Sequence, residues 1–103
     1  MVIELLKFKI SPKDREKYIQ RDAEIWTAAL ADYPGFLGKE LWINPNNPEE
    51  LVMVIRWETR QQWKSILQEE IDAIAEKFDK DLEFTYEMVE SSEYQVRKFP
   101  NSN

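Results

Sequence analysis

Leu51-Val-Met-Val-Ile-Arg-Trp57 is the stretch that decides the fold. Every side chain in it except Arg56 is apolar, so both alternating faces of the extended chain carry hydrophobic groups. A strand with one wet face alternates; a near-continuous run is a strand covered on both sides. Thr59-Arg60-Gln61-Gln62 follows and reads as a capping box, with Thr59 as cap and Gln62 at the third helical position. Trp63, Ile66, Leu67, Ile71, Ile74 and Phe78 then recur at helical spacing on one face. The pattern allows a break in this helix around Gln68-Glu69.

Toward the N-terminus, Asn44-Pro45-Asn46-Asn47-Pro48 is dense in turn formers and joins a strand over residues 36–44 to the central run as a hairpin. Tyr33-Pro34-Gly35 stops a helix that starts at Ser11-Pro12-Lys13-Asp14 and runs to about Asp32. In it Ser11 is the cap and Pro12 takes the first helical position. Before it, Leu6, Phe8 and Ile10 alternate with Lys7 and Lys9 in a strand over residues 2–10, and Ile3 and Leu5 add apolar groups of the other parity. Toward the C-terminus, residues 82–90 read as a fourth strand. Ser91-Ser92 interrupts it, residues 93–98 form a short fifth strand or an arm, and residues 99–103 are a flexible tail.

The order is β-α-β-β-α-β, an α+β, ferredoxin-like unit with a single domain over residues 1–98 and a C-terminal arm at 91–98. Its sheet carries helices on one face only. The central strand is apolar on both parities and the chain has four tryptophans to cover, so the bare face predicts a homodimer.

The 103 residues contain no cysteine and no histidine. Disulfides, thiolate chemistry, a Ser-His-Asp triad and zinc or haem sites built on His or Cys are thereby excluded within these residues. No metal site and no cofactor are expected. The formal net charge of −6 argues against nucleic acid, whose phosphates need a basic face. No apolar run is long enough for a membrane span, and the first residues lack the features of a signal peptide, so a cytoplasmic location is the expectation.

Asp22 is the residue most suggestive of chemistry. At about 100° per residue it falls inside the apolar arc formed by Tyr18, Ile19, Ile25, Trp26, Ala29, Leu30 and Tyr33. A carboxylate there must be paired, hydrogen-bonded or protonated. It is either a cavity carboxylate acting on a ligand or half of a structural ion pair, with Arg15 two turns earlier as one partner. Arg56, the break in the apolar run, is expected to anchor an anionic ligand or to partner Asp22; an interface or edge ion pair is the alternative. Glu70 lies near the apolar arc of the second helix, where its stem can simply flank the core. Trp26, Trp42, Trp57 and Trp63 line a pocket with Tyr18 or belong to core and interface, and the pocket reading is strongest for Trp26 and Trp63. The expected binding set is therefore Tyr18, Asp22, Trp26, Arg56 and Trp63.

Tyr33-Pro-Gly-Phe-Leu-Gly-Lys-Glu-Leu-Trp42, with Val54-Ile-Arg-Trp-Glu-Thr-Arg-Gln-Gln-Trp63, resembles the antibiotic-biosynthesis-monooxygenase-like family over about residues 1–90. Residues 22–30 and 93–100 resemble a branch of small bacterial members. The resemblance implies a dimeric α+β barrel. It also brings in cofactor-free monooxygenases of aromatic polyketides and haem-degrading enzymes. The haem degraders need an axial His on the second helix, an Asn on strand one and a Trp on the helix after strand three. Here there is no His, residues 2–10 contain no Asn, and the Trp position reads as Ile66, with Trp63 one turn earlier. The resemblance thus points to a cofactor-independent, monooxygenase-like enzyme for a small aromatic compound, with a non-catalytic dimer that binds a small apolar ligand or a partner as the alternative.

Overall fold

The computed structural model describes residues 1–97. Lys98 and the tail at 99–103 lie outside the described residues. Strands β1 (Val2–Lys9), β2 (Phe36–Ile43), β3 (Glu50–Trp57) and β4 (Glu87–Gln95) form one sheet in the order β2-β3-β1-β4. Each neighbouring pair is antiparallel. The topology is the ferredoxin-like α+β arrangement that the element order predicts. No helix among the described residues is long and apolar enough to cross a membrane.

Helix α1 occupies residues 12–30 but is not uniform. A 3-10 turn at Pro12–Asp14 leads into α-helix at Arg15–Asp22, a π-helical segment at Ala23–Thr27 and a last α-turn at Ala28–Leu30. Ser11 does not cap through its side chain; its carbonyl accepts from the Asp14 amide at 2.9 Å and closes the tighter first turn. Tyr33-Pro34-Gly35 then turns the chain into β2. Gly35 has φ +89°, and a Cβ there would sit 2.4 Å from the Gln62 Oε1, so conformation and space both require glycine.

The second helical stretch is broken, slightly earlier than Gln68-Glu69. Helix α2 (Arg60–Lys64) ends at Ser65, whose hydroxyl donates to the Gln62 carbonyl at 2.6 Å, and α3 (Gln68–Asp81) begins after Leu67. Thr59 caps α2 as expected, its Oγ1 accepting from the Gln62 amide at 3.1 Å. Thr59→Ala is expected to cost about 1 kcal/mol in urea unfolding, the usual worth of such a cap; an unchanged midpoint would show that the cap is redundant.

The C-terminal strand differs from the sequence expectation. It starts at Glu87 rather than residue 82, because Leu82, Phe84 and Tyr86 pack against the helix-side core as a connecting segment. Ser91-Ser92 does not interrupt it. Ser91 pairs with Leu6 and Ser92 with Leu5, and residues 93–95 continue the same ladder instead of forming a fifth strand. Serine is a poor strand former on its own, but a full ladder on a central strand overrides that preference. The register irregularity falls elsewhere, opposite Lys7 and Phe8.

Two clusters, built around Phe8, Tyr18, Met53 and Phe78 and around Leu30, Ile55 and Trp57, fill the space between helices and sheet. A third lies on the other face, where Ile3, Val52 and Val54 pack with Leu5 and Val96 and no helix contributes. The valines of β3 are thus shielded within the chain. That face exposes two aromatics, Trp42, paired with Val52, and Tyr94, paired with Ile3, which are 49% and 56% exposed, beside charged side chains such as Glu40 and Lys7.

Candidate functional site

Between α1, the α2–α3 segment and the helix-side face of the sheet lies a cavity of about 380 Å³. Its walls are mainly apolar and aromatic: Leu6, Phe8, Met53 and Ile55 from the sheet, Tyr18, Trp26 and Leu30 from α1, and Trp63, Ile66, Ile71 and Ala75 from the second helical stretch. A site of this size and lining suits a drug-sized or smaller organic molecule.

Three acidic or basic side chains intrude into this lining: Glu4 from β1, Asp22 from α1 and Lys39 from β2. Glu4 has the parity of Leu6 and Phe8 and so points to the helix side. Lys39 reaches the same side because β2 shifts register between Phe36 and Gly38, which places Lys39 opposite Ile55. Asp22 is the last α-helical residue before the π-helical segment, a local widening that often accompanies functional sites.

Asp22 and Lys39 form a buried ion pair. The Lys39 Nζ lies 2.7 Å from Asp22 Oδ2 and 2.8 Å from Oδ1, with the two side chains 1% and 2% exposed. The Thr27 hydroxyl, on the π-helical segment, donates to Oδ2 at 3.5 Å. Glu4 accepts a hydrogen bond from the Trp57 indole Nε1 at 3.3 Å.

Burial dominates the protonation equilibria. It raises the Asp22 carboxyl above its ordinary value, against the attraction and hydrogen bond of Lys39. It lowers the Lys39 ammonium, against the opposing attraction of Asp22 and Glu4. It raises Glu4 as well, although the Trp57 hydrogen bond and the Lys39 charge pull the other way. Tyr18 is pushed up by burial and then by the Asp22 charge; Tyr86 is pushed up by burial and by its hydrogen bond to Asp79. Both tyrosines therefore stay protonated near neutral pH and neither is a base there, which leaves the carboxylates.

Of the five residues expected to form a binding set, the structure brings Tyr18, Asp22, Trp26 and Trp63 to the wall of this one cavity. It does not bring Arg56. That side chain lies opposite Gly38 on the bare face and pairs with Glu40 at 3.5 Å, so the expectation that it partners Asp22 is corrected. Strand alternation is the reason: Arg56 shares the parity of Val52 and Val54, whereas Met53, Ile55 and Trp57 face the helices. Arg15 does not reach Asp22 either; it pairs with Glu16 at 3.8 Å. Glu70 is exposed. Trp57 lines the cavity, while Trp42 belongs to the other face.

Lys39 and Glu4 escaped the sequence reading. Glu4 was legible as the next even position before Leu6, Phe8 and Ile10. Lys39 was less so, because the shift between Phe36 and Gly38 breaks a parity count that starts at Phe36, and only a count back from Leu41 gives its side. Among the described residues there is no cluster of three Asp or Glu side chains suited to a metal ion.

The family described as antibiotic biosynthesis monooxygenase matches residues 1–77. No curated protein matches the sequence. Solved structures do. SnoaB from Streptomyces nogalater, a cofactor-independent oxygenase, superposes with a TM-score of 0.68 at 17% identity, covering 98% of this chain and 97% of that one. The heme-degrader MhuD from Mycobacterium tuberculosis, with two hemes bound in its active site, gives 0.68 at 20% identity over 96% and 98%. A conserved protein from Methanosarcina mazei gives 0.64 at 16% identity over 91% and 90%. At these identities the likeness is one of fold.

Proposed function

From the premise that the chain belongs to the antibiotic biosynthesis monooxygenase family, we propose that it is a cofactor-independent oxygenase acting on a small hydroxyaromatic compound. The observation that carries this reading is the set of three acidic or basic side chains, Glu4, Asp22 and Lys39, in the wall of a mainly apolar, aromatic cavity. Among the described residues Glu4 has one hydrogen bond, from Trp57, which leaves a carboxylate oxygen for a substrate hydroxyl. Its raised affinity for a proton makes it a better base than an exposed glutamate. Lys39 supplies positive charge within the same cavity, where low dielectric strengthens its effect on a developing oxyanion.

The chemistry balances without a redox group. Glu4 takes the hydroxyl proton of a substrate whose phenolate charge is shared with an activated ring carbon, so this single proton transfer gives the carbanion. That carbanion reduces O2 and bonds to it, and the protonated Glu4 returns its proton to the resulting peroxide anion, giving a hydroperoxide. Cleavage of the O–O bond and loss of water leave a carbonyl, so one oxygen atom enters the product and the other leaves as water. The substrate supplies all four electrons.

Haem does not fit this cavity in the manner of the family's haem degraders. The helix that would carry an axial imidazole presents Ile71 and Ala75 to the cavity, and the chain has no histidine. A second reading, a binding protein without catalysis, draws on the Asp22–Lys39 pair, which satisfies itself and leaves little polar chemistry for a ligand. Oxygen uptake with a panel of hydroxyaromatics, alongside quenching of tryptophan fluorescence, separates the two. Uptake matched to substrate without released peroxide supports the oxygenase. Quenching without uptake supports the binding protein, and neither signal rejects both.

The protein is further proposed to act as a homodimer joined through the helix-free face, where Trp42 and Tyr94 are exposed. Trp42→Glu is expected to shift the sedimentation of micromolar protein from dimer to monomer, because a charge placed in an interface on this face would be buried unpaired. A monomeric wild type would reject the proposal.

A further inference from the structure

We infer that Lys39 is a covalent site, whose amine condenses with the carbonyl group of an aromatic aldehyde or ketone held in the cavity to form an imine. This activity needs no oxygen, although it draws on the same cavity and the same Lys39 as the oxygenase reading.

Placement is the first argument. Among the described residues Lys39 is the only cationic side chain that lines the cavity, and its side chain is 2% exposed. Ordinary surface lysines are hydrated ammonium ions and poor nucleophiles. A lysine enclosed by apolar walls loses that hydration, and an aryl carbonyl compound fits the lining of Leu6, Trp26, Ile55 and Trp63.

Proton logistics are the second. Both Asp22 oxygens lie within 2.8 Å of the amine. Burial disfavours both charges of the pair, raising the carboxyl and lowering the ammonium, and so eases transfer of a proton from Lys39 to Asp22 across the 2.7 Å contact; the amine freed by that transfer is the nucleophile. The neutral amine adds to the carbonyl carbon, forming the C–N bond, and one of its N–H protons passes to the carbonyl oxygen, which becomes a hydroxyl. The Asp22 carboxylic acid then protonates that hydroxyl, water leaves and the C=N bond forms. No oxidant or reductant enters the step. With the Lys39 side chain 2% exposed, the imine forms where little bulk water reaches it.

Stability is the third. A buried ion pair is at best a weak stabiliser, and apolar residues of similar volume commonly serve the fold as well or better. The pair at this cavity wall therefore has no strong structural rationale, whereas an amine beside a proton carrier has a chemical one.

Full-length protein incubated with 4-hydroxybenzaldehyde without oxygen, then reduced with sodium borohydride, provides the test. Peptide mapping of the wild type is expected to place the secondary-amine adduct on Lys39, roughly tenfold or more above the exposed Lys17, reflecting the oriented site. Asp22→Asn is expected to slow labelling about 100-fold while leaving Lys39 in place. Labelling of Lys39 no greater than that of Lys17 would overturn the inference. Because the map is made on wild-type protein, the test does not depend on a variant folding. Activity with hydroxyaromatics in the absence of labelling would overturn this inference and leave the oxygenase standing.

Discussion

Lys39→Met is expected to destabilise the protein by about 3–5 kcal/mol, and Lys39→Met combined with Asp22→Leu is expected to recover most or all of that loss. The single variant strands a carboxylate that is 1% exposed and retains only the long 3.5 Å hydrogen bond from Thr27. The double variant removes both charges and fills the site with apolar volume. A pH dependence separates this from simple loss of packing. Asp22 already has its proton affinity raised by burial, and losing the Lys39 charge removes the main opposing influence. A carboxyl whose folded-state pKa lies above its unfolded value of 3.8 contributes stability that is fully present below that value and is lost as pH rises through the folded one. The deficit of Lys39→Met should therefore shrink as the solution is acidified, and the double variant should lack this dependence. Urea unfolding of the four proteins of the cycle measures both effects. If the single losses simply add in the double variant, the ion pair is not a coupled unit.

The same pair shows what could be read from the chain beforehand. Asp22 stood out because a charge inside a helix's apolar arc breaks a regular period, and burial of that arc forces the charge to find a partner. The partner was not legible. Two arginines near in sequence or conspicuous in pattern, Arg15 and Arg56, were the natural expectations, but pairing across a fold depends on which face of the sheet each residue occupies. For Arg56 a parity count along residues 51–57 gives the bare face. For Lys39 the count depends on where it starts: from Phe36 it fails, since the register shifts between Phe36 and Gly38, and only a count back from Leu41 gives the helix side. The π-helical turn after Asp22 is likewise absent from any periodicity argument, because one segment of wider helix barely alters an apolar arc.

The fold itself was more legible, since capping residues, turn formers and the doubly apolar β3 agree with one another. Its one substantial departure, the unbroken β4, arose where local preference met a complete ladder. Ser91 and Ser92 are poor strand residues, yet each finds its place opposite β1. Cavity chemistry is different in kind from these regularities: Glu4, Asp22 and Lys39 come from three elements, and only the assembled sheet brings them to one wall.

Glu4→Gln is expected to lower kcat/KM for a hydroxyaromatic substrate by about 10²–10⁴-fold, the range for loss of a general base. Glutamine keeps a carbonyl oxygen for the Trp57 indole N–H, so the wall of the cavity is preserved while the proton acceptor is lost. The wild-type rate should rise with pH through an apparent pKa above the ordinary glutamate value of 4.5, and the variant should lose that limb. Stability should move the other way. With its folded pKa raised, Glu4 contributes stability below 4.5 that disappears as pH rises through the folded value, because the buried carboxylate must then stay charged. Glu4→Gln carries no such charge and should be the more stable protein at neutral pH, the difference closing in acid. A variant that is slower and yet more stable at neutral pH is the signature of a base held in an unfavourable environment for the sake of its chemistry. Full activity in Glu4→Gln, or an unchanged pH limb, would remove Glu4 from the mechanism and return the role of base to Asp22.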